Sequence, residues 1–246
     1  MSSAHLAYRT LNEEGPAPFV IFADHASNRV PPELSDLGLP TSELVRHIAW
    51  DIGSAGIAER LAGRFDAPAI ICGTSRLVID CNRPVADPSS IPEVSDGTTI
   101  PGNRGLTTAD RAQRAERYFI PYHDAVERAV ARKCDAGLAP VVLSIHSMTP
   151  AMGGVARPWQ IAISSFEDRR LADPLLAALR NLGGFAVGDN QPYALDPAED
   201  YSVPVHAMRR GLAHIQVEFR QDMVATAPGI ATWARIFGDA LSAALG

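Results

Sequence analysis

The hydrophobic positions along the chain fall into short unbroken runs that alternate with amphipathic stretches. The runs at 18–24 (PFVIFAD) and 140–145 (PVVLSI) show no alternation of apolar and polar residues. Such runs are typical of strands buried on both faces of a largely parallel sheet. Further strands are predicted at 67–72, 74–80, 160–164 and 185–187, and at 214–219, where apolar and polar residues alternate.

Amphipathic periodicity predicts the helices between these strands. They are expected at 42–65, 108–136, 169–182 and 228–245. Pro121 should kink or divide the second helix, because proline lacks the backbone N–H that a helix interior needs. Alternating strands and helices predict a single α/β domain over residues 1–246, a sandwich with a mostly parallel or mixed sheet. In such sheets ligands bind at the carboxyl ends of the strands.

Composition and charge narrow the class of function. The 246 residues are 46% hydrophobic and 20% charged, enough to bury a sizeable core. A formal net charge of −6 argues against nucleic acid and anionic membrane as partners and favours a small-molecule substrate. No apolar stretch is long enough for a membrane span or a signal peptide, so a cytoplasmic protein is expected. The three cysteines form no CxxC pair, which argues against a thiolate zinc site.

Histidines and a carboxylate recur where apolar strands are predicted to end. His25 follows the run 18–24, His146 follows 140–145, and Glu218 lies near the end of 214–219. One histidine in such a position is more often structural, but two in equivalent positions favour a metal site. Neutral imidazoles are frequent ligands of catalytic zinc, which takes three protein ligands and leaves a fourth position to water.

The third ligand is a choice between two residues. Asp51 is preferred because it is a carboxylate near an apolar helix, although it could instead interact with the helix dipole. Asn28 is the second choice, since a neutral amide binds zinc poorly. His47 and His123 fall within predicted helices and are interpreted as structural.

Glu218 lies in an apolar strand (IQVEF), where a carboxylate without a partner would be costly to bury. Its expected role is that of a general base, which takes a proton from water and returns it to a leaving amine. The alternative is an ion pair with Arg220 or Arg83.

Arg76, Asn82 and Arg83 surround the end of the strand predicted at 74–80, beside a long polar loop at 86–105. A guanidinium can hold a carboxylate with two parallel hydrogen bonds or stabilise an oxyanion, and either role suits an acidic substrate. Arg76 could instead pair with Asp80.

Weaker substrate-binding candidates occupy the turn-rich stretch upstream of Glu218, from which a loop could close over substrate. They are Asn190, Tyr201 and His206.

Several motifs in a shared order resemble the N-formylglutamate amidohydrolase family from about residue 18 to 222. They are DHASNRVP (24–31), HIAWDIG (47–53), SRLVIDCNRP (75–84), SIHSMTP (144–150), GDNQPY (188–193) and QVEFRQD (216–222). That family is similar to zinc carboxypeptidases, aspartoacylase and succinylglutamate desuccinylase. The resemblance implies a three-layer, zinc-exopeptidase-like sandwich.

The same resemblance implies roles for individual residues. His25 and His146 would bind one zinc or another divalent ion, and Glu218 would be the general base. Asn82 and Arg83, with Arg76, would hold carboxylate or carbonyl groups. The related enzymes carry a glutamate three residues after the first histidine, where this chain has Asn28. The family's aspartate at the position of Asp51 favours that residue as the third ligand.

Together these features predict a zinc-dependent amidohydrolase of amino-acid metabolism that cleaves a small N-formyl-like acidic amino acid. The segment DHASNRVP differs from the His-Ser-Gly turn of the histidine-degradation enzymes, so the substrate need not be formylglutamate itself. Two alternatives stay open. One is a carboxypeptidase or peptidoglycan-type amidase, and the other is a binding module that keeps the fold without the chemistry.

Overall fold

A seven-stranded mixed sheet forms the centre of the molecule in the computed structural model, which describes residues 5–246. In chain order its strands are β1 (Tyr8–Leu11), β2 (Phe19–Ala23), β3 (Ala69–Cys72), β6 (Val141–Met148), β9 (Ile161–Ser164), β10 (Val187–Asp189) and β11 (His214–Arg220). Two small hairpins lie outside this sheet: β4 (Val94–Ser95) with β5 (Thr98–Thr99), and β7 (Ala151–Met152) with β8 (Val155–Ala156).

The strand order across the sheet is β1-β3-β2-β6-β11-β9-β10. The four central strands, β3, β2, β6 and β11, run parallel, while β1 and the pair β9–β10 run in the opposite direction. The carboxyl ends of the central strands therefore meet at one edge of the sheet, as the sequence predicted. The short strand β1 was not predicted from the sequence.

Helices cover both faces of the sheet. They are α1 (Thr41–Leu44), α2 (Ser54–Phe65), α3 (Thr108–Arg114), α4 (Ile120–Asp135), α5 (Ala172–Leu182), α6 (Ser202–His206), α7 (Gln221–Val224) and α8 (Ala227–Leu245). A π-helical turn at Ala115–Phe119 joins α3 to α4 without a break in the helical backbone, so the predicted long helix has a wider turn just before Pro121 but is not divided. None of the described helices is apolar over a length that would cross a bilayer.

Two hydrophobic cores separate three layers. On one face α2, α5 and α8 pack on the sheet through residues such as Leu61, Leu175 and Phe237. On the other face α4 and the loops around it pack on residues such as Phe22. Burying one side chain of this size contributes about 1.5–3 kcal/mol, so the two cores supply most of the favourable free energy of folding. The α/β three-layer sandwich expected from the sequence is confirmed.

The segment 74–80 is a turn, which corrects the strand expected there. The amide of Val78 donates to the carbonyl of Ser75 at 2.9 Å, and the amide of Asp80 donates to Ser90 at 2.7 Å. The apolar residues Leu77, Val78 and Ile79 are buried in the second core rather than in the sheet. An unbroken apolar run indicates that its residues are buried, but it does not specify a strand. Here the residues are buried in a compact turn.

The helix expected over 42–65 is interrupted. Helix α1 ends at Leu44 and α2 begins only at Ser54, after the N-cap Gly53. Asp51 therefore lies in the connecting turn, where its amide donates to the carbonyl of His25 at 2.8 Å. Gly53 has φ +86°, and a Cβ there would lie 2.4 Å from the carbonyl oxygen of Val224. The close approach of that backbone explains why the chain turns at a glycine.

Candidate active site

Strand pairing places the predicted chemical residues side by side. Glu218 on β11 is in register with His146 on β6. His25 follows β2, which pairs with β6 on its other side. His146 lies inside β6 rather than just after it, which corrects the boundary expected from the sequence, because β6 continues to Met148. The three residues nevertheless share one edge of the sheet.

Alternation along β11 determines which face carries the chemistry. Ile215, Val217 and Phe219 point into the core beneath α2, α5 and α8. The residues between them, Gln216 and Glu218, therefore face the opposite side. In β6 the same alternation puts Ile145 in the core and His146 on the polar side. His146, Gln216 and Glu218 therefore share one face of the sheet, because successive residues of a strand point to opposite faces.

Three buried side chains converge on one point. His25, Asp51 and His146 each offer one ligand atom, and these atoms lie within 4.8 Å of one another. Asp51 Oδ2 is 2.9 Å from His146 Nδ1 and 3.5 Å from His25 Nδ1. The Nδ1 atom of His25 is buried without a hydrogen-bond partner among the described residues. The group could hold a metal ion, and its two nitrogens and one carboxylate suit zinc.

Two further carboxylates, those of Asp80 and Asp24, each lie beside one of the two imidazoles. His25 Nε2 is 2.7 Å from Asp80 Oδ1, and His146 Nε2 is 3.4 Å from Asp24 Oδ2. Metal-binding histidines commonly direct their other ring nitrogen to such a carboxylate, which fixes the ring orientation and raises the basicity of the ligand. Both contacts thus match the arrangement expected around a bound ion.

The electrostatics also favour a cation. Four buried carboxylates, those of Asp24, Asp51, Asp80 and Glu218, lie in this region near one guanidinium, that of Arg76. Burial opposes charge on His146, but hydrogen bonds to Asp24 and Asp51 raise its pKa well above its usual value. Burial likewise opposes charge on Asp51, yet the two imidazoles hold its pKa below its usual value. The site stabilises positive charge.

Of these four carboxylates, Glu218 is the one that forms no ion pair with a residue in the described range 5–246. Burial, opposed by the imidazole of His146, raises its pKa to about 7. Neither alternative partner suggested by the sequence pairs with it, because Arg220 binds Asp222 at 2.8 Å and Arg83 binds Asp200 at 3.2 Å. Its described hydrogen bond is a long one from Gln216 Nε2, at 3.4 Å. A buried carboxylate in this state can exchange a proton near neutral pH.

These residues open into a cavity of about 480 Å³. Its lining includes His25, Asp51, His146 and Glu218 together with Arg76, Asn82 and Arg83. The loop 86–105, expected to be functional, contributes Ser89, Pro92, Ser95 and Asp96 to the wall. The volume suits a small molecule of the size of an acylated amino acid.

Arg76 lines the cavity and also pairs with Asp80, the alternative that the sequence left open; its contact with substrate stays a prediction. Its Nη2 lies 2.7 Å from Asp80 Oδ2, and its Nη1 lies 3.5 Å from Asp51 Oδ1. Burial opposes this charge, but the carboxylates of Asp80 and Asp51 raise the pKa of Arg76 above its usual value. The guanidinium therefore stays charged beside the candidate metal ligands.

Asn82 and Arg83 are engaged by a carboxylate of the chain itself. Asn82 Nδ2 donates to Asp200 Oδ1 at 3.0 Å, and Arg83 Nη1 donates to the same atom at 3.2 Å. Asn82 Oδ1 also accepts from the amides of Tyr201 and Ser202. Both residues line the cavity, and both hold the segment around 200 in place.

Three weaker substrate-binding candidates lie outside the cavity lining, and their side chains make other contacts. Asn190 accepts a hydrogen bond from the amide of Ser165 at 2.8 Å and holds a turn. His206 stacks on His123, with a ring nitrogen of each 2.9 Å apart, and Tyr201 packs against the edge of His123. Polar residues in a turn-rich segment can satisfy the backbone as readily as a ligand.

Asn28, the second choice for the third ligand, does not line the cavity, and its side-chain amide donates to the carbonyl of Leu44 at 3.0 Å. The structure brings Asp51 to the imidazoles instead.

His47, interpreted as structural, lines the cavity 3.4 Å from Asp96. Arg157 and Tyr193 also line it, and sequence analysis did not identify them. Asp24 and Asp80, whose contacts with the imidazoles were also missed, carried a usable signal: each ends an apolar run one or two positions before a predicted site residue.

The fold and the site define an α/β sandwich protein with a buried His-Asp-His group and a lone carboxylate at the carboxyl edge of its central strands. Residues 17–225 match the family profile described as N-formylglutamate amidohydrolase. The chain belongs to this family, which is a family of amidohydrolases.

Two solved structures share the fold of this chain. The gene product Atu2144 of Agrobacterium tumefaciens is 34% identical, with a TM-score of 0.93 over 97% of this chain and 94% of that one. The N-formylglutamate amidohydrolase of Ralstonia eutropha is 20% identical, with a TM-score of 0.68 over 97% of each chain, a likeness of fold alone. Comparison with curated protein sequences gave no match.

Proposed function

We propose that this chain is a zinc-dependent hydrolase that cleaves the amide bond of a small N-formyl-type acidic amino acid. The observation that carries the proposal is the convergence of His25, Asp51 and His146 in the same cavity as the unpaired carboxylate of Glu218. Family membership supplies the reaction type, and the Ralstonia relative is itself an N-formylglutamate amidohydrolase.

His25, Asp51 and His146 would hold the zinc ion, with Asp80 and Asp24 orienting the two imidazoles. When bound, zinc would polarise the acyl carbonyl and lower the pKa of water in its open position. Asp51 is fixed for this role by its backbone hydrogen bond to His25 and by the amide of Ser147, which donates to its Oδ2 at 3.2 Å. The ligand atoms are thus held by the fold.

Glu218 acts as the general base. It accepts a proton from the attacking water and delivers it to the amine nitrogen as the C–N bond breaks, so that formate and a free amino acid leave. Burial makes its carboxylate a stronger base than an exposed one.

Arg83 has the proposed catalytic role of stabilising negative charge on the carbonyl oxygen, with Arg76 and Asn82 contacting substrate beside it. Among the described residues, Arg83 donates hydrogen bonds only through Nη1, and its side chain is 27% exposed, so its remaining N–H groups are available in the cavity. A guanidinium near a developing oxyanion stabilises it electrostatically.

The test is Glu218→Gln, which preserves shape and removes the base. We expect kcat for N-formyl-L-glutamate to fall about 10²- to 10⁴-fold while zinc content is unchanged. Glu59→Gln, an exposed glutamate paired with Arg9, is the matched control and should retain the wild-type rate. A wild-type rate in Glu218→Gln would overturn the assignment of the base.

The substrate class is tested with the same wild-type protein. N-formyl amino acids should be cleaved faster than acidic dipeptides. The reverse preference would favour a carboxypeptidase. Protein that takes up no zinc and shows no shift in melting temperature with it would favour the binding module.

A further inference from the structure

The cavity contains three arginines that differ in how their charge is neutralised. Arg76 and Arg83 each form a salt bridge with a carboxylate of the chain, Asp80 and Asp200 respectively. Arg157 lines the same cavity, but no carboxylate among residues 5–246 forms a salt bridge with it. Its charge is the one left without a counter-ion in this part of the molecule.

Arg157 is nevertheless a built part of the structure. It is only 8% exposed, and its backbone is held because its amide donates to Pro150 at 2.8 Å and its carbonyl accepts from Arg220 at 3.1 Å. A buried cation without an anion is costly unless hydrogen bonds and a ligand compensate it. Because the backbone holds Arg157 at the cavity, its charge is available to an anionic ligand there.

Two neutral groups orient the guanidinium. Nη1 donates to Thr149 Oγ1 at 3.2 Å, and Nη2 donates to the hydroxyl of Tyr193 at 2.6 Å. The guanidinium carbon lies 4.9 Å from the centre of the Tyr193 ring. A guanidinium carries five N–H donors, so two bonds leave several for a ligand. Because Thr149 and Tyr193 also line the cavity, the whole group opens on the reaction site.

We propose that Arg157, oriented by Thr149 and Tyr193, is the residue that binds a carboxylate of the substrate and so determines the preference for acidic N-acyl amino acids. This inference rests on the proposed function. The planar fork of arginine matches a carboxylate with two parallel hydrogen bonds. The competing anchor, Asn82 with Arg83, already donates hydrogen bonds to a carboxylate of the chain itself, that of Asp200.

A purely structural role for Arg157 would be to hold Tyr193 and its loop. The two roles differ in their dependence on substrate charge. A structural residue affects every substrate alike, whereas a carboxylate-binding residue affects only substrates that carry that carboxylate. The experiment therefore pairs variants of Arg157 with substrates that lack one carboxylate.

The substrates are N-formyl-L-glutamate, N-formyl-L-glutamine and the α-amide of N-formyl-L-glutamate. In Arg157→Gln, we expect kcat/KM for N-formyl-L-glutamate to fall about 10- to 150-fold, mostly through KM. For one of the two amides it should change by no more than about twofold, the scatter of uncoupled sites. That amide identifies the carboxylate bound. Arg157→Lys should recover part of the loss, because it keeps the charge without the fork.

Arg128→Gln, at an exposed arginine that donates to Tyr8 and does not line the cavity, is the matched control and should leave all three rates unchanged. Equal losses on all three substrates in both Arg157 variants, or no loss on any, would overturn the proposal. Calorimetric binding of L-glutamate to the wild type and Arg157→Gln gives a readout independent of turnover. If the wild type cleaves none of the substrates, the proposed function fails, while weaker glutamate binding by the variant would still support the anion site.

Discussion

Asp80→Asn tests the carboxylate that lies behind the candidate metal group. Asp80 Oδ1 contacts His25 Nε2 at 2.7 Å and the amide of Asn82 at 2.8 Å, while Oδ2 accepts from Arg76 at 2.7 Å. An asparagine of the same shape keeps one acceptor, but it loses the negative charge and presents an NH₂ group to a donor. The change therefore perturbs the orientation of His25 and the pairing of Arg76 together.

The expected magnitudes follow from burial. Loss of a carboxylate that orients a ligating histidine typically lowers metal affinity or activity about 10- to 100-fold. Breaking a buried ion pair costs about 3–5 kcal/mol, but Arg76 is 28% exposed and can be partly solvated. We therefore expect the free energy of unfolding of the metal-free protein to fall by about 1–3 kcal/mol.

Two assays separate these effects. Competition with a chromophoric chelator gives the zinc dissociation constant, and urea unfolding in chelator gives the free energy of unfolding without a contribution from bound metal. Asp222→Asn, which removes the exposed partner of Arg220, is the control and should change stability by less than about 1 kcal/mol. A folded Asp80→Asn protein with wild-type zinc affinity would refute the role of Asp80 in orienting His25.

Two further predictions test the surroundings of the site. Gly53→Ala should destabilise the protein by at least about 1–3 kcal/mol and weaken zinc binding, because φ is +86° and Val224 leaves no room for a Cβ beside Asp51. Urea unfolding measures the stability, and chelator competition measures the zinc affinity. Wild-type values in both assays would contradict the tight turn. Burial lowers the pKa of His123 to about 3, below its ordinary value of 6.5, so the unfolded chain binds a proton that the folded protein excludes and stability falls as pH drops below about 6.5. In His123→Gln, the free energy of unfolding should fall less steeply with decreasing pH, by up to about 1.4 kcal/mol per pH unit, in urea unfolding between pH 7.5 and 5. An unchanged pH dependence would contradict a neutral buried His123.

The local pattern of apolar and polar residues was sufficient to predict the site residues that lie on strands or just after them. Unbroken apolar runs led to β2 and β6, and alternation led to Glu218, because period-two geometry links a strand's sequence directly to its faces. His25 and His146 came from the same signal, so their proximity followed from parallel strands sharing one edge.

Residues positioned by turns could not be found in this way. Asp51 lies in a turn held by a backbone bond to His25. The sequence favoured it only as a carboxylate near an apolar helix, with family resemblance as further support, and neither signal encodes the turn. Arg157 and Tyr193 meet across 36 positions of sequence, and no local pattern encodes that contact. The turn at 74–80 was mistaken for a strand because burial of an apolar run does not specify backbone geometry.

The central claim is that hydrolysis by Glu218 depends on a metal held by His25, Asp51 and His146. The most direct measurement is formate release from N-formyl-L-glutamate by chelator-treated protein titrated with zinc, in the wild type and in Glu218→Gln. We predict that activity returns in the wild type and saturates near one zinc per chain, while Glu218→Gln binds the same zinc without recovering the rate. Undiminished hydrolysis after metal removal, or equal recovery in both proteins, would contradict the account.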